Sequence, residues 1–449
     1  MTCTLDAELL AAVSQSIEAQ LGLHYPPERW ADLERGLCGA AAELGFESVE
    51  KCARELVLAK LSRAQVDALA GHLTTGETYF FRDPAVFEAL ASQVLPALVQ
   101  EKRGRAKRLR IWSAGCCTGE EPYSLAIALR QAIPDLKDWQ LTILATDLNP
   151  RFLHKAAAGI YGQWSFRGVP EATRDAWFRR TPEGRFEILP AIRKMVTFAC
   201  LNLVEDVFPA LSNNTNAMDL IFCRNVLMYF SQEQLRKAVA NLHRSLVQGG
   251  RLVVSATEAS REVFGEFAPE GIPGVALYRK EAPAPPPATP PLPPLPLPAR
   301  LPEPLPLPAV KPRALPAARP DHAADARRLA NEGGLSEALA ACDRALAEDR
   351  LVAAHHYLRG VILQEQHALD EAVAALKRAL YLDPDFTIAH FALGHLMQRL
   401  SRSSEAARCF ANARALLRTC PPEAVLPESD GITAGRLLAI LSATEEALA

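Results

Sequence analysis

The feature that most constrains the fold of this chain is the stretch RIWSAGCCTGEEPYS, from Arg110 to Ser124. It predicts a buried strand over Leu109–Trp112, a tight turn of small residues over Ser113–Gly119, and a helix that starts at Glu120. Pro122 is compatible with the first turn of that helix, because the N–H groups there have no intrahelical partner. Small residues let a ligand approach the backbone, and the helix start offers free N–H donors.

A second predicted strand, Leu141–Ala145, is followed by Thr146 and Asp147. An acidic side chain at the end of the second strand of an α/β unit is placed to accept hydrogen bonds from both hydroxyls of a ribose. The sequence contains neither G-x-G-x-x-G nor G-K-[ST], so we predict a nucleoside site that does not grip a phosphate. Gly115 and Gly119 would also suit any tight strand-to-helix turn, and this plainer alternative stays open on the residues alone.

Four short stretches of the chain together resemble the chemotaxis-receptor methyltransferase (CheR) family. They are TTGETYFFRDP (Thr74–Pro84), SAGCCTGEEPYS (Ser113–Ser124), ATDLNP (Ala145–Pro150) and IFCRNVLMYF (Ile221–Phe230). They occur in this order within residues 5–280, and methyltransferases at large do not share the combination. The resemblance implies a class I S-adenosylmethionine-dependent methyltransferase that transfers a methyl group to glutamate side chains of chemoreceptors.

Changes of periodicity define the first two parts of the chain. Residues 1–73 show the apolar spacing of helices and predict an N-terminal helical domain, a small bundle. Residues 74–281 alternate strand and helix patterns, which predicts a Rossmann-like α/β methyltransferase domain with a parallel sheet. We expect a small β insertion at about 160–200, in which Arg185–Leu189 and Met195–Cys200 form short strands.

The last two predicted parts are a linker and a repeat domain. Residues 282–321 are so rich in proline that they cannot build a core, and they predict a stiff spacer. Residues 322–449 repeat at an interval near 34 residues, with Gly360 recurring as Gly394, and this predicts an all-α tetratricopeptide domain. The extension is similar to the Wsp-type form of the family, which serves a chemosensory pathway that controls biofilm.

The predicted cofactor contacts come from the ends of strands and from the stretch around Arg82. An arginine after the aromatic run Tyr79–Phe81 needs an anionic partner, such as the methionine carboxylate of the cofactor or the acceptor glutamate. We expect Asp147 to accept from the ribose hydroxyls and Glu120 to face the ammonium of the methionine. The resemblance adds cofactor contacts at Gly76, Thr78, Asn202, Leu203, Arg224 and Asn225.

The predicted reaction needs no general base, because a glutamate with a pKa of about 4.3 is already ionised at neutral pH. The enzyme then has to position donor and acceptor and to exclude water. Arg82 and Tyr229 are the catalytic candidates, with Tyr229 lining the entrance for the acceptor. A tyrosine of the core is the alternative interpretation of Tyr229. Histidines of the repeats stand at helical spacing, and we predict no metal site.

Charge and cysteine content restrict the partners. The formal charge of −3 gives no reason to expect nucleic acid, and no run of 18 apolar residues suggests direct membrane insertion. The ten scattered cysteines fit the reduced thiols of a cytoplasmic protein. We therefore expect a cytoplasmic enzyme. The resemblance implies that it is recruited to membrane receptor arrays, where the cytoplasmic domain of a chemoreceptor is its substrate.

Two other functions remain open on the sequence. The chain could methylate another protein or a small molecule through the same cofactor site. Alternatively, it is an S-adenosylmethionine-binding scaffold that acts mainly through its repeats. In the receptor interpretation, the repeats bind an unidentified signalling protein and so localise the enzyme.

Overall fold

The chain folds into an N-terminal helical bundle, an α/β domain and a C-terminal array of paired helices. The computed structural model describes residues 5–102, 107–205, 207–281, 321–429, 431–435, 437–438 and 440–441. The proline-rich linker predicted at 282–321 therefore lies outside the described residues, apart from Asp321. None of the helices in the described part of the chain has the length and apolar content that a bilayer crossing requires.

The four helices of the bundle lie where the apolar periodicity predicts them. They are α1 (Ala7–Leu21), α2 (Trp30–Glu43), α3 (Val49–Leu58) and α4 (Arg63–Leu73). The side chains of Asp6, Ser48 and Ser62 accept hydrogen bonds from the free N–H groups that begin α1, α3 and α4. Each such cap contributes about 1 kcal/mol to helix stability. Val13, Ile17 and other apolar residues on the inner faces form the bundle's own core.

Ten strands in the described residues form two sheets. They are β1 (Arg108–Ala114), β2 (Gln140–Asp147), β3 (Ile160–Tyr161), β4 (Phe178–Arg180), β5 (Phe186–Ile188), β6 (Val196–Cys200), β7 (Met218–Phe222), β8 (Leu246–Val254), β9 (Ala268–Glu270) and β10 (Ala276–Arg279). The larger sheet has the order β6-β2-β1-β7-β8-β10-β9, with β10 antiparallel to its neighbours β8 and β9. Its first five strands are parallel, as the sequence predicts.

Helices cover both faces of the larger sheet. They are α5 (Pro84–Ala89), α6 (Leu95–Lys102), α7 (Glu120–Ala132), α8 (Pro150–Ala158), α9 (Glu171–Trp177), α10 (Pro190–Arg193) and α11 (Gln232–Ser245). Every side chain of β7, and nearly every one of β1, is buried. Strands of a parallel sheet that is covered on both faces read as continuous apolar runs, which is why the sequence pattern locates them.

The β insertion is shorter than predicted. It is a three-stranded antiparallel sheet in the order β3-β5-β4. The expectation that Met195–Cys200 belongs to it is wrong, because Val196–Cys200 pairs in parallel with Ile143–Asp147 of the large sheet. This edge strand is only partly buried and lacks the continuous apolar run of a central strand, so the sequence pattern does not distinguish it from a hairpin strand.

The C-terminal region consists of three antiparallel helix pairs. The helices are α12 (His322–Asn331), α13 (Leu335–Glu348), α14 (Ala353–Glu365), α15 (Leu369–Leu382), α16 (Thr387–Arg399) and α17 (Ser403–Leu417). The second helices of the pairs begin 34 residues apart, at Leu335, Leu369 and Ser403. A Cβ atom on Gly360 would lie 2.8 Å from Leu376 Cγ, and one on Gly394 would lie 2.4 Å from Phe410 Cε1. These glycines let the paired helices cross closely, as the tetratricopeptide pattern requires.

The repeats pack against the sheet at the amino-terminal ends of its central strands. Arg110 of β1 is almost fully buried and pairs with Glu365 at the end of α14. Asn216, just before β7, donates through Nδ2 to the carbonyl oxygen of Ala330 at 3.4 Å. Leu211 belongs to the apolar core of the repeats. The sequence predicts a stiff spacer between the α/β domain and the repeats, and the described residues on its two sides are in direct contact.

Candidate active site

A cavity lies at the opposite, carboxyl-terminal ends of β1, β2 and β7, between the α/β domain and the N-terminal bundle. Eight of the ten predicted site residues line it: Thr78, Arg82, Asp147, Asn202, Leu203, Arg224, Asn225 and Tyr229. Strands of one parallel sheet bring their carboxyl ends to one edge, and this geometry gathers residues that are far apart in sequence. Gly76 and Glu120 are not part of the lining.

The turn after β1 forms the floor of the cavity. The N–H groups of Gly115 and Cys116 both donate to the carbonyl oxygen of Thr146, each at 2.8 Å. Gly115 has a φ of 80°, and a Cβ atom there would lie 2.2 Å from Val226 Cγ2. Only glycine combines this backbone conformation with that close approach. The small residues of the motif therefore let the turn pack closely against the end of β2 at Thr146 and the loop after β7 at Val226.

Asp147 is fixed at the end of β2 by the backbone. Its Oδ2 atom accepts from the N–H of Cys117 at 2.8 Å, and its Oδ1 atom accepts from the N–H of Asn149 at 2.9 Å. Burial raises the pKa of this carboxyl, and the backbone donors oppose that rise. Each carboxylate oxygen can accept more than one hydrogen bond. The carboxylate therefore has capacity left for donors from a ligand in the cavity.

Arg224 crosses the cavity from the end of β7. Its guanidinium pairs with Asp83, lies 3.6 Å from a carboxylate oxygen of Glu121, and donates to the carbonyl oxygen of Arg82 at 3.2 Å. Its Nε atom is buried and has no hydrogen-bond partner among the described residues. An unpaired buried donor is costly. The Nε atom is therefore the part of the Arg224 guanidinium whose hydrogen-bonding capacity is left unused.

Of the two consecutive glutamates, the one that lines the cavity is Glu121. Burial raises the pKa of its carboxyl, while Arg224 and a 2.7 Å hydrogen bond from the Ser113 hydroxyl lower it. Glu120 is buried outside the lining and accepts from Thr118 Oγ1 at 2.6 Å and from Ser165 Oγ at 2.9 Å. Sequence reasoning missed Glu121, because adjacent residues at a helix start carry no signal of which one faces the ligand.

Arg82 and Gly76 belong to the segment that connects the bundle with the α/β domain. Arg82 lines the cavity, and its Nη1 atom donates to the carbonyl oxygen of Glu77 at 2.7 Å. A Cβ atom on Gly76 would lie 2.8 Å from the ring of Phe152, which itself lines the cavity. Gly76 thus acts on the cavity through the space that it leaves for Phe152.

Asn202 and Tyr229 attach the N-terminal bundle to the site. Asn202 Nδ2 donates to the carbonyl oxygen of Gln20 at 2.8 Å, and the N–H of His24 donates to the carbonyl oxygen of Tyr229 at 2.8 Å. The guanidinium of Arg29 lies 5.9 Å from the Tyr229 ring centroid. The bundle contributes His24, Tyr25 and Arg29 to the lining, and no motif in the bundle marks these residues.

Glu258 organises the loop after β7 and was also missed. Its carboxylate accepts from the N–H groups of Asn225 and Val226, both at 2.8 Å, and of Met228 at 3.2 Å. It also accepts from the hydroxyl of Ser255 at 2.6 Å. Asn225 has a positive φ of 58°, which this network holds in place. A lone glutamate beyond a strand gives no sequence signal for such a role.

The cavity contains thiols but no activated nucleophile. Burial raises the pKa of the Cys117 thiol to about 12, and it raises the pKa of the Cys116 thiol well above its ordinary value. Both are therefore neutral thiols, which are poor nucleophiles. The described residues contain no group of histidine, cysteine and acidic side chains that could hold a metal ion. The arrangement is suited to binding and orienting reactants.

Comparisons with known proteins agree with this geometry. The family model described as "CheR methyltransferase, SAM binding domain" matches residues 76–272. Chemotaxis protein methyltransferase 1 of Pseudomonas aeruginosa is 41% identical over 192 residues, which are 42% of this chain and 67% of that protein. The chemotaxis protein methyltransferase of Vibrio anguillarum is 32% identical over 258 residues, 57% of this chain and 90% of that protein.

A third relative is the probable biofilm formation methyltransferase WspC of Pseudomonas aeruginosa. It is 35% identical over 229 residues, which are 51% of this chain and 52% of that protein. Among solved structures, the second tetratricopeptide domain of Spaghetti (RPAP3), bound to an HSP90 peptide, aligns with 21% of this chain and 88% of its own length. It is 21% identical, with a TM-score of 0.21.

Proposed function

This chain belongs to the CheR family of chemotaxis protein methyltransferases, and we propose that it methylates glutamate side chains of chemoreceptors. Family membership makes it an S-adenosylmethionine-dependent methyltransferase. The observation that carries the proposal is the cavity edge, where Asp147 ends β2 and Arg224 ends β7 around the glycine turn. The similarity to WspC supports a pathway of the chemosensory and biofilm type.

The residues present fit the cofactor. The Asp147 carboxylate is positioned for the two ribose hydroxyls, and Asn202 and Leu203 offer a wall for the adenine. The unpaired Nε of Arg224 and the guanidinium of Arg82 provide cations for the methionine carboxylate. Glu121 supplies the carboxylate for the ammonium, the role that the sequence assigned to Glu120. Bound S-adenosylmethionine supplies an electrophilic methyl group.

Held by these residues, S-adenosylmethionine would supply its sulfonium methyl group to the acceptor carboxylate, a transfer that would form a C–O bond, break the C–S bond, release S-adenosylhomocysteine and move no proton. The enzyme's residues align the reactants and keep water out, which lowers the barrier by positioning. Arg82 and Tyr229 border the path of the acceptor. The bridge between Leu23 and Phe230 closes the bundle over the cavity from the other side.

The test is transfer of a radiolabelled methyl group to membranes that contain a chemoreceptor from the same organism. We expect base-labile label on the receptor, since a glutamate methyl ester hydrolyses in alkali, and none with Asp147→Ala. Label on a small molecule or on a different protein would contradict receptor methylation. Cofactor binding without any transfer would favour the scaffold interpretation.

We also propose that the enzyme is cytoplasmic and that its repeats recruit it to receptor arrays by binding a signalling protein. A cleft of about 910 Å³ separates α14 and α16 from β2 and β6. Its walls are mainly apolar, and its rim includes the exposed cations Lys194 and Arg399. These features favour a partner segment that is apolar and acidic.

Charge reversal at the rim separates recruitment from catalysis. We expect the double variant Lys194→Glu/Arg399→Glu to lower receptor methylation in cells while turnover on purified, saturating receptor stays unchanged. Arg236→Glu is the matched control, because Arg236 is exposed and lies on α11. Equal losses in both assays would contradict recruitment through the cleft.

A further inference from the structure

An exposed tryptophan stands beside the cavity mouth. Trp164 belongs to the short helical turn Gln163–Phe166 before α9, and 73% of it is exposed. Large aromatic side chains lose much apolar contact with solvent when a partner covers them, and tryptophan is enriched at binding hot spots. The reaction proposed above does not use Trp164, so its exposure needs another explanation.

The turn that carries Trp164 is held in place by its buried neighbours. The ring of Phe166 stacks on Phe80 with a centroid distance of 4.9 Å. The N–H of Phe80 donates to the carbonyl oxygen of Ser165 at 2.9 Å, and the Ser165 hydroxyl donates to Glu120 at 2.9 Å. The exposed indole is therefore presented on a fixed support, which reduces the entropy lost on binding.

Arg167 connects the indole with the cavity lining. Its guanidinium carbon lies 4.7 Å from the ring centroid of Trp164 and 3.9 Å from that of Tyr79. It also pairs with Glu77. Tyr79 and Glu77 both line the cavity. One guanidinium thus separates the indole from the mouth, so that a chain entering the cavity would pass beside Trp164.

A second exposed apolar side chain lies on the loop after β7. Met228 is 57% exposed and stands in the chain between Val226 and Tyr229, which both line the cavity. The N–H of Met228 donates to Glu258, so this loop is also fixed. Apolar groups are thus presented by the insertion side and by the β7 side of the same mouth.

We propose that Trp164 and Met228 form the docking surface for the acceptor segment of the substrate, and that they contact apolar side chains flanking the acceptor glutamate. This inference rests on the proposed function. The surface is continuous with the cavity through Arg167 and Tyr79, and Arg82, which lines that cavity, attracts the carboxylate of an acceptor. Only the glutamate side chain enters the cavity, so its neighbours meet the exposed rim.

The experiment measures methylation of the purified cytoplasmic fragment of a chemoreceptor by the full chain. We expect Trp164→Ala to raise KM for the receptor fragment about tenfold, as for loss of a hot-spot residue. The kcat and the affinity for S-adenosylmethionine should stay within twofold of the unchanged protein. Trp164→Phe should restore most of the lost affinity, because it keeps an apolar ring.

Tyr381→Ala is the matched control, because the repeats present a similar exposed aromatic residue. Tyr381 is 75% exposed and has the guanidinium of Arg378 5.1 Å from its ring centroid. We expect this variant to leave KM unchanged. The same KM in Trp164→Ala and Tyr381→Ala would overturn the docking surface while leaving the proposed function standing.

Two further outcomes would also contradict the proposed docking surface. If Trp164→Ala abolishes a concentration-dependent dimer in sedimentation and leaves KM unchanged, the surface serves a second copy of the chain and the proposal is wrong. If the unchanged protein transfers no methyl group to any receptor fragment of the organism, the proposed function fails and this inference fails with it.

Discussion

At the carboxyl ends of β1, β2 and β7, polar side chains face a cavity, whereas at the amino end of β1 the buried Arg110 is paired by contacts within the chain. Asp147 at the first edge keeps acceptor capacity, and Arg224 keeps a buried donor without a partner in the described residues. Arg110 at the second edge pairs with Glu365 and donates to the carbonyl oxygens of Asn216 at 3.1 Å and Asn214 at 3.0 Å.

The difference separates a ligand site from a structural contact. Both edges carry buried charges, and both are continuous with the same β1 strand. What distinguishes Asp147 and Arg224 from Arg110 is the polar capacity that these two side chains keep after the protein's own hydrogen bonds are made. A buried donor without a partner costs free energy unless a ligand pairs with it, whereas a fully paired arginine stabilises only the arrangement that pairs it.

Removing Arg110 from the amino-terminal edge should have the largest effect of the changes predicted here, a loss of folding stability. We expect Arg110→Ala to destabilise the chain by about 3–5 kcal/mol, because it leaves the partly buried Glu365 with only the more distant Arg108, at 3.9 Å, and deprives two carbonyl groups of this donor. Thermal unfolding followed by circular dichroism measures the loss. Affinity for S-adenosylmethionine in the protein that remains folded should change little, since Arg110 does not line that cavity.

Two controls test whether pairing, and not charge itself, is the cause. Arg236→Ala removes a solvent-exposed arginine that pairs with Glu262 at 2.7 Å, and such pairs contribute only about 0–1 kcal/mol. The double variant Arg110→Met/Glu365→Leu should regain part of the lost stability, because neither member of the pair is left as an unpaired charge. The recovery should be incomplete, because Arg108, 3.9 Å from Glu365, loses that carboxylate. A melting temperature for Arg110→Ala equal to that of Arg236→Ala would show that the repeats do not depend on this contact.

Removing the carboxylate at the carboxyl-terminal edge should affect cofactor affinity more than it affects thermal stability. We expect Asp147→Ala to weaken S-adenosylmethionine binding by about 1.5–3 kcal/mol, since a charged acceptor of hydrogen bonds is lost. The melting temperature without cofactor should fall less than in Arg110→Ala. Calorimetric titration measures the affinity, with Asp175→Ala, an exposed aspartate, as control. Unchanged affinity in a folded Asp147→Ala variant would remove Asp147 from the site.

The sequence predicts the carboxyl-terminal edge of the sheet well, because the patterns that locate this edge lie within short stretches of the chain. Parallel strands appear as apolar runs, and each run ends in polar residues that the sheet brings together, as with Asp147 and Arg224. Which of two adjacent glutamates faces the cavity depends on the rotation of α7 against Ser113 and Ser165. That rotation is a tertiary property, so the sequence does not indicate that Glu121, and not Glu120, lines the cavity.

The second edge could not be predicted, although it begins inside the most distinctive motif. Arg110 opens that motif, but its partner Glu365 is 255 residues further along the chain. The 34-residue period predicts the helix pairs, since each pair obeys a local rule. Where the pairs dock depends on long-range shape and charge, which a periodicity does not contain. The missed role of Glu258 has the same origin.

Loosening the loop at the cavity should have an intermediate effect. We expect Glu258→Gln to lower kcat about tenfold, about 1.4 kcal/mol in transition-state stabilisation, because an amide cannot accept all the hydrogen bonds that fix Asn225 and Val226. The free energy of unfolding should change less in this variant than in Arg110→Ala. Glu262→Gln is the control, as Glu262 is exposed. A variant that loses only thermal stability, with kcat unchanged, would reduce Glu258 to a structural role.

The cavity and the repeats should also respond to pH in opposite directions. Burial raises the pKa of Asp147 and Glu121 at the cavity, so their folded forms hold protons that the unfolded chain has released. Their contribution to stability is therefore lost as the pH rises through the raised values. On the repeat side, burial lowers the pKa of His395 to about 4 from the usual 6.5. The unfolded chain then binds more protons than the folded one between those values.

The smallest expected effect follows from His395. Its ring centroid lies 4.5 Å from that of Phe391 and 5.2 Å from that of Phe410, so protonation would place a charge among aromatic rings. We expect the free energy of unfolding of the unchanged chain to decline as the pH falls from 6.5 towards 4. The free energy of unfolding of His395→Leu should decline less over the same interval. Urea unfolding at several pH values measures both slopes, and His356→Leu, on a more exposed histidine of α14, is the control. If the free energy of unfolding depends on pH equally in His395→Leu and in the unchanged chain, the imidazole of His395 does not contribute to the acid sensitivity of the repeats, which then arises from other groups.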